Sequence, residues 1–109
     1  MSKVFITHGQ VKFDYRPAAM YGDLVQIVDR VYSFAPGNAV NAALFEAINK
    51  AADDFDPLTD FVLPSGSAIM TGIFFAALAS RGVHRFTVLT WNNNDQAYAP
   101  GFIDIEEVI

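Results

Sequence analysis

The sequence contains no cysteine. This absence excludes disulfide bonds, thiol nucleophiles, cysteine-ligated zinc and iron–sulfur clusters. A chain of 109 residues can bury a hydrophobic core without such staples, and it has the length of one domain. We therefore expect a single domain over residues 1–109, in a protein suited to a reducing compartment.

Charged residues are scarce, at 17% of the chain, against about a quarter in an average protein. The seven basic residues are outnumbered by twelve acidic ones, which gives a net charge of −5. Because nucleic acids attract basic surfaces, this balance argues against nucleic acid as a partner. The apolar excess, 52% of the chain, predicts a sheet covered on both faces or a surface buried against another chain.

No hydrophobic run is long enough to cross a membrane. The longest apolar stretch, residues 68–79, is interrupted by Thr71 and falls short of the roughly 20 residues that a spanning helix needs. The first apolar run, Val4–Ile6, is too short for the core of a signal peptide. The sequence thus predicts a cytoplasmic protein without a membrane partner.

Cofactor and metal patterns are missing as well. There is no Gly-x-Gly-x-x-Gly segment, and no lysine follows the Ser-Gly-Ser turn as in a P-loop. The acidic segment 53–60 lacks the central glycine and terminal glutamate of an EF-hand, so a solvated acidic loop is the better interpretation. We expect no cofactor and no metal.

The chain does contain an alternation of strand and helix patterns. β-branched and aromatic runs predict strands at Val4–Thr7, Leu24–Val28, Phe61–Leu63 and Arg85–Trp91, and a fifth around Tyr98–Ile105 that forms a hairpin with the fourth. Helices are predicted near residues 38–52 and 67–81, with a single helical turn at 16–22. This order predicts an α/β fold, a small Rossmann-like layer structure whose mostly parallel sheet of about four or five strands ends in a C-terminal antiparallel hairpin.

The two helices and the last strand carry further predictions. The first helix has Asn38 as its expected N-cap. Its apolar stripe consists of Val40, Ala43, Leu44, Ala47, Ile48 and Ala51, with Asn41 on the polar side. The second helix is apolar nearly all round, which predicts burial on most sides or a place in an interface. Pro100 and Gly101 indicate an edge strand with a bulge or bend.

A candidate binding site falls on the edge where parallel strands end. This edge should collect His8, Asp29 and the turn Ser65-Gly66-Ser67. The turn lies between a strand and a helix N-terminus, where free N–H groups and the helix dipole attract phosphate or carboxylate. The alternative is structural, with one serine as an N-cap and Gly66 in a tight turn. We expect Gly66→Val to abolish any anion binding here and to leave the fold largely intact.

A catalytic arrangement is not expected. His8 is a candidate general base or ligand contact, although a lone histidine is more often structural. Ser65, His8 and Asp29 could be combined into a triad, but Pro-Ser-Gly-Ser is not the Gly-x-Ser-x-Gly elbow of hydrolases. The aromatic residues Phe13, Tyr15, Tyr21, Tyr32 and Phe34 are predicted to form satellite core, and Trp91 to anchor the hairpin or, where exposed, an interface.

Short segments spread along the chain resemble those of a group of small bacteriophage proteins. The similarity rests on Pro17-Ala18-Ala19-Met20-Tyr21-Gly22, Ala35-Pro36-Gly37, Gly66 after the third strand, Leu89-Thr90-Trp91 and Phe102-Ile103-Asp104-Ile105. Ala35 stands where the group has a serine. The resemblance implies a phage setting, and hence the host cytoplasm, but it supplies no catalytic residues.

Two functional hypotheses follow. The first is a non-enzymatic phage accessory protein that acts by protein–protein interaction, either as a homo-oligomer, most simply a dimer, or with a host protein. The alternative is a nucleotide- or small-anion-binding domain that uses Ser65, Gly66 and Ser67, with His8 beside them.

Overall fold

The fold is α/β, as the sequence predicts. A computed structural model describes residues 2–32 and 39–108. The strands are β1 (Lys3–Ile6), β2 (Asp23–Gln26), β3 (Phe61–Leu63), β4 (Arg85–Asn92) and β5 (Ala97–Asp104), and the helices are α1 (Ala39–Asp54) and α2 (Ala68–Ser80). Two short 3-10 helices span Arg16–Met20 and Ile105–Val108. The predicted N-cap Asn38, Phe34 and the segment Ala35-Pro36-Gly37 lie outside the described residues.

One five-stranded sheet organises the molecule, in the order β2-β1-β3-β4-β5. The pairs among β1 to β4 are parallel, and β5 pairs antiparallel with β4. β5 is therefore an edge strand, as Pro100 predicts. Its register with β4 is continuous from Arg85↔Asp104 to Asn92↔Ala97, so of the predicted bulge or bend the ladder contains no bulge.

The first face of the sheet is covered by both α-helices. Phe5, Val62 and Phe86 point from the strands into a core that includes Leu44 and Ile48 of α1. From α2 the same core receives Met70, Phe74 and Leu78, which are fully buried. Aromatic rings meet there at close range, for example Phe5 and Phe55 at 5.5 Å between centroids.

The second face of the sheet has a thinner cover. Val4, Ile6, Leu63 and Leu89 form a smaller cluster there, closed by the buried Ala18 of the first 3-10 helix. This helix is the predicted single helical turn, and it lies in the connection between β1 and β2. A short turn shields less area than an α-helix, so apolar side chains of this face are left exposed, among them Trp91 and Phe102.

The buried line of α1 differs from the predicted stripe. Leu44, Ile48 and Ala51 are buried as expected, but Asn41 is also buried, whereas Val40 and Ala43 are exposed. At about 100° per residue the centre of the buried arc falls between Leu44 and Ile48, which brings Asn41 inside it and leaves Ala43 outside. The assignment of Asn41 to the polar side was wrong because the apolar residues alone did not define that centre.

α2 buries one line of side chains rather than its whole circumference. Ile69 is exposed, and Phe75 packs partly buried against Phe86, with 5.4 Å between ring centroids. The helix begins with Ser67 as its N-cap, whose hydroxyl accepts a hydrogen bond from the N–H of Met70. After α2, Gly82 adopts a φ of +78°, which fits a glycine that ends a helix.

The acidic segment before β3 is not simply a solvated loop. Asp60 is only 4% exposed, and its carboxylate accepts hydrogen bonds from the N–H groups of Lys3 (2.9 Å) and Asp56 (2.8 Å). This side chain ties the start of β1 to the start of β3. Within the described residues, no helix is long and apolar enough to cross a membrane.

Candidate functional site

The carboxyl edge of the parallel strands brings several of the predicted site residues together. Thr7 and His8 follow β1, and Ser65, Gly66 and Ser67 follow β3, the neighbouring strand. The Thr7 hydroxyl donates to the Ser65 carbonyl (3.1 Å) and accepts from the Ser65 N–H (3.0 Å). The two segments are thus held together by hydrogen bonds between main chain and side chain.

His8 has a defined structural role in this turn. It is 7% exposed, and its Nδ1 accepts a hydrogen bond from the N–H of Ser67 at 2.8 Å. An acceptor Nδ1 carries no proton, so the neutral imidazole has its proton on Nε2. His8 therefore caps one of the free N–H groups at the start of α2, where an anion was expected to bind.

The backbone conformation at position 66 and the adjacent His8 side chain both require a glycine there. Its φ is +72°, and a Cβ at this position would overlap the His8 imidazole. The expectation that Gly66→Val leaves the fold largely intact is therefore wrong, because the valine side chain would displace His8 and strain the backbone.

The Ser65 hydroxyl is paired with a tyrosine hydroxyl and not with a histidine, as a serine hydrolase would need. Its Oγ lies 2.6 Å from the hydroxyl of Tyr15, and Tyr15 also accepts a hydrogen bond from the N–H of Gln10. Since His8 Nδ1 is engaged by Ser67, the imagined triad of Ser65, His8 and Asp29 is not assembled. Asp29 lines another surface depression beside His8.

A cleft of about 660 Å³ opens next to this turn; we call it the aromatic cleft. Its aromatic side chains are Phe13 and Tyr15 from the connection after β1, and Trp91 and Tyr98 from the β4–β5 hairpin. It is also lined by Asp14, Pro17, Leu63, Pro64, Ser65, Gly66, Leu89 and Asn93. Its volume is in the range of sites that bind small molecules.

The rings of the aromatic cleft form two edge-to-face pairs. Trp91 and Tyr98 have centroids 5.0 Å apart, and Phe13 and Tyr15 have centroids 6.3 Å apart. Trp91 is 42% exposed, and its Nε1 donates a hydrogen bond to Asn93 Oδ1 (2.8 Å). Because indole is only a donor, this bond fixes the Asn93 amide with its NH₂ group as the remaining donor.

The one charged side chain that lines the aromatic cleft, Asp14, has its negative charge balanced by a neighbouring arginine. The carboxylate of Asp14 accepts two hydrogen bonds from the Arg16 guanidinium, both 2.9 Å long, and one from the Arg16 N–H. These hydrogen bonds hold the pKa of Asp14 at about 2, below its usual range. Burial raises the pKa of the Tyr98 hydroxyl, which therefore stays neutral at physiological pH.

The acidic residues do not gather into a metal site: among residues 2–32 and 39–108, no group of three or more histidine, aspartate or glutamate side chains is arranged to hold an ion. Asp53 instead pairs with Arg81, with 2.6 Å between Oδ1 and Nε.

The sequence predicted that His8 meets the Ser65–Ser67 turn, but it did not predict the aromatic cleft. His8 and Ser65 to Ser67 end adjacent parallel strands, so topology alone predicted that they meet. Tyr15 packs against the smaller core cluster, as predicted for satellite core. That Tyr15 and Phe13 also line a cleft was not predicted, because nothing periodic marks an irregular connection, and Asp14 was not considered. The sequence feature that could have indicated the cleft is the density of aromatic residues in a segment with no strand or helix pattern.

One family model matches residues 2–105 of the chain, and its description is "Phage Pam3 gp32-like protein". No curated protein and no solved structure matches.

Proposed function

The chain belongs to the Phage Pam3 gp32-like protein family, and we propose that it is an accessory protein of the phage that acts by protein–protein interaction, first with a second copy of itself. Family membership supports the phage role. One structural feature, the open edge of β5, supports self-association.

β5 is a long edge strand with little of the usual protection. It has eight residues, and none of those from Ala97 to Ile103 is charged. Phe102 is 70% exposed in its second half. Edge strands are commonly protected by lysines, prolines, bulges or very short length, because unpaired backbone groups otherwise recruit another strand. Only Pro100 interrupts this edge.

The hydrogen-bond pattern identifies which backbone groups face outward. The N–H of Ile105 donates to the carbonyl of His84 at 2.8 Å. Because bonded and non-bonded pairs alternate in an antiparallel ladder, the odd-numbered residues of β5 bond to β4 and the even-numbered ones point outward. Pro100 is thus at a position where its missing N–H costs no bond to β4. The Tyr98 carbonyl accepts from the Tyr21 hydroxyl (3.0 Å), which leaves the outward groups around Phe102 for a partner.

A second copy of β5 fits this edge. Two antiparallel strands related by a two-fold axis at Phe102 place the same groups opposite each other, as an isologous interface requires. The two sheets then become one continuous sheet, and the two Phe102 rings lie side by side on the same face. A strand from a host protein is the alternative occupant of the edge.

Light scattering on the purified protein across micromolar concentrations tests self-association. We expect a dimeric mass for the natural chain and a monomeric mass for Phe102→Lys, because two like charges would face each other across the axis. Val31→Lys is the matched control, since Val31 is 56% exposed and follows β2, the strand at the opposite edge of the sheet. A monomeric mass at every concentration, or a dimer in Phe102→Lys, would overturn self-association through this edge.

Nucleotide or small-anion binding at Ser65-Gly66-Ser67 stays a prediction. The N–H groups of Ser65 and Ser67 donate to Thr7 and His8, so of the three N–H groups of the turn only that of Gly66 has no acceptor among the described residues. A thermal-shift measurement with inorganic phosphate and with AMP tests it. A rise in melting temperature supports anion binding, and no rise eliminates it.

A further inference from the structure

We propose that the aromatic cleft is a binding site for an uncharged saccharide. The assignment is independent of self-association. It rests on three properties of the cleft: its balanced charge, its accessible rings and the kind of polar groups that line it.

The balanced charge of the cleft disfavours anionic and cationic ligands. Asp14 is the one charged residue among those that line the aromatic cleft, and its carboxylate is fully engaged by Arg16. The Lys12 ammonium lies 5.2 Å from the centroid of the Phe13 ring, but it lines the neighbouring depression beside His8. A phosphate or carboxylate would therefore find no cation among the residues that line the cleft, and an ammonium group would find no free carboxylate. Since taking an unpaired charge out of water is costly, an uncharged ligand suits the cleft best.

The rings supply the contact surface. Trp91 and Phe13 keep 42% and 51% of their surface exposed, although large aromatic residues are usually well buried. The face of an aromatic ring carries partial negative charge and attracts the partly positive C–H bonds on the face of a sugar ring. Trp91 with Tyr98, and Phe13 with Tyr15, offer two such places within one cleft.

The polar groups that line the cleft can form hydrogen bonds with the hydroxyl groups of a sugar. The hydroxyls of Ser65 and Tyr15 form a hydrogen bond with each other, and Tyr15 also accepts from the Gln10 N–H, so one O–H donor of the pair remains for a ligand. The Asn93 NH₂ group also remains a donor after its oxygen is bound by Trp91. Sugar hydroxyls also donate and accept, so they can complete this set. A ligand with only apolar surface would remove water from these remaining donors without replacing its hydrogen bonds, which is unfavourable.

Trp91 makes the proposal directly measurable, because it is the only tryptophan in the chain. Its fluorescence is recorded during titration with a panel of uncharged saccharides: glucose, galactose, mannose, N-acetylglucosamine and a linear trimer of each. We expect at least one member to change the emission saturably. Adenosine, AMP and a proline-rich peptide are titrated in parallel. No response to any saccharide, or a response to one of these three alone, overturns the assignment.

Variants locate the binding. With the saccharide that responds, Phe13→Ala should weaken binding about tenfold, the loss expected for one aromatic contact. Leu58→Ala, at an exposed leucine that does not line the cleft, should bind as the natural chain does. Ligand-observed NMR with Trp91→Ala provides a readout without the fluorophore, and saccharide signals should then lose their saturation transfer. Unchanged affinity in both Phe13→Ala and Trp91→Ala would overturn the proposal.

Discussion

At the scale of single residues, Asp14 shows how a local pair sets the electrostatics of the cleft. The hydrogen bonds from Arg16 lower its pKa from 3.8 to about 2. A lowered pKa in the folded state stabilises the fold at pH values above the usual pKa, and this contribution disappears as the pH falls through the lowered one. Because the pair is exposed, its effect on stability is small, and the titration is the informative measurement.

We predict that the Asp14 carboxyl titrates near pH 2 when its carbon resonance is followed by NMR. Arg16→Gln should move the midpoint back towards the usual value, because the charged hydrogen bonds are lost. A midpoint of 3.8 in the natural chain would mean that the pair does not form in solution, and the cleft would then carry a free negative charge.

Gly66 and Gly72 provide a matched test of two glycines with different surroundings. Gly66 has a positive φ and the His8 ring against it, whereas Gly72 lies in α2 with nothing within 4 Å of an added Cβ. Gly66→Ala should lower the free energy of unfolding by about 1–3 kcal/mol, and Gly72→Ala should raise it by up to about 1 kcal/mol. Urea unfolding measures both. Equal effects would contradict the conformation of the Ser65–Ser67 turn.

At the scale of elements, both helices are held by one buried line each. Phe74 and Leu44 belong to the core under the helices, so Phe74→Ala and Leu44→Ala should each cost about 2–5 kcal/mol of unfolding free energy. Phe45, on α1 but 38% exposed, is the control, and Phe45→Ala should cost clearly less. Changes below about half a kcal/mol at Phe74 or Leu44 would place these side chains on the surface, where substitutions have effects of that size.

The elements were predictable where a repeating pattern exists. The strand–helix alternation predicted the parallel sheet, and the Pro17-to-Gly22 segment predicted the short helical turn. Asp60 was not predicted as buried, because its partners are backbone N–H groups of Lys3 and Asp56, which no side-chain pattern reveals. In the same way, the connection between β4 and β5 has its positive φ at Gln96 and not at Asn93, Asn94 or Asp95, whose residue types tolerate it better.

At the scale of the whole molecule, the two faces of the sheet differ in what covers them, and this difference explains the apolar excess. Both α-helices lie on one face, so the other depends on the irregular connection between β1 and β2. The sequence predicted that something besides the sheet must cover apolar side chains, but it could not show where. The aromatic cleft and the exposed Phe102 both belong to the thinly covered face, and both depend on loop geometry that follows no period.

Hydrogen exchange at the edge of this sheet tests the assembly residue by residue. The amide of Ile103 points towards β4 and that of Phe102 points away from it, because bonded and non-bonded pairs alternate along the ladder. In a dimer joined through β5, the Phe102 amide acquires a carbonyl acceptor from the second copy. Its exchange should therefore slow as the protein concentration rises, while Ile103 exchanges slowly at every concentration. Amides of β2, the other edge strand, serve as the control and should show no concentration dependence. Fast exchange of Phe102 at all concentrations would mean that the edge stays open. Protection at dilutions where light scattering gives a monomeric mass would mean that its partner lies within the same chain.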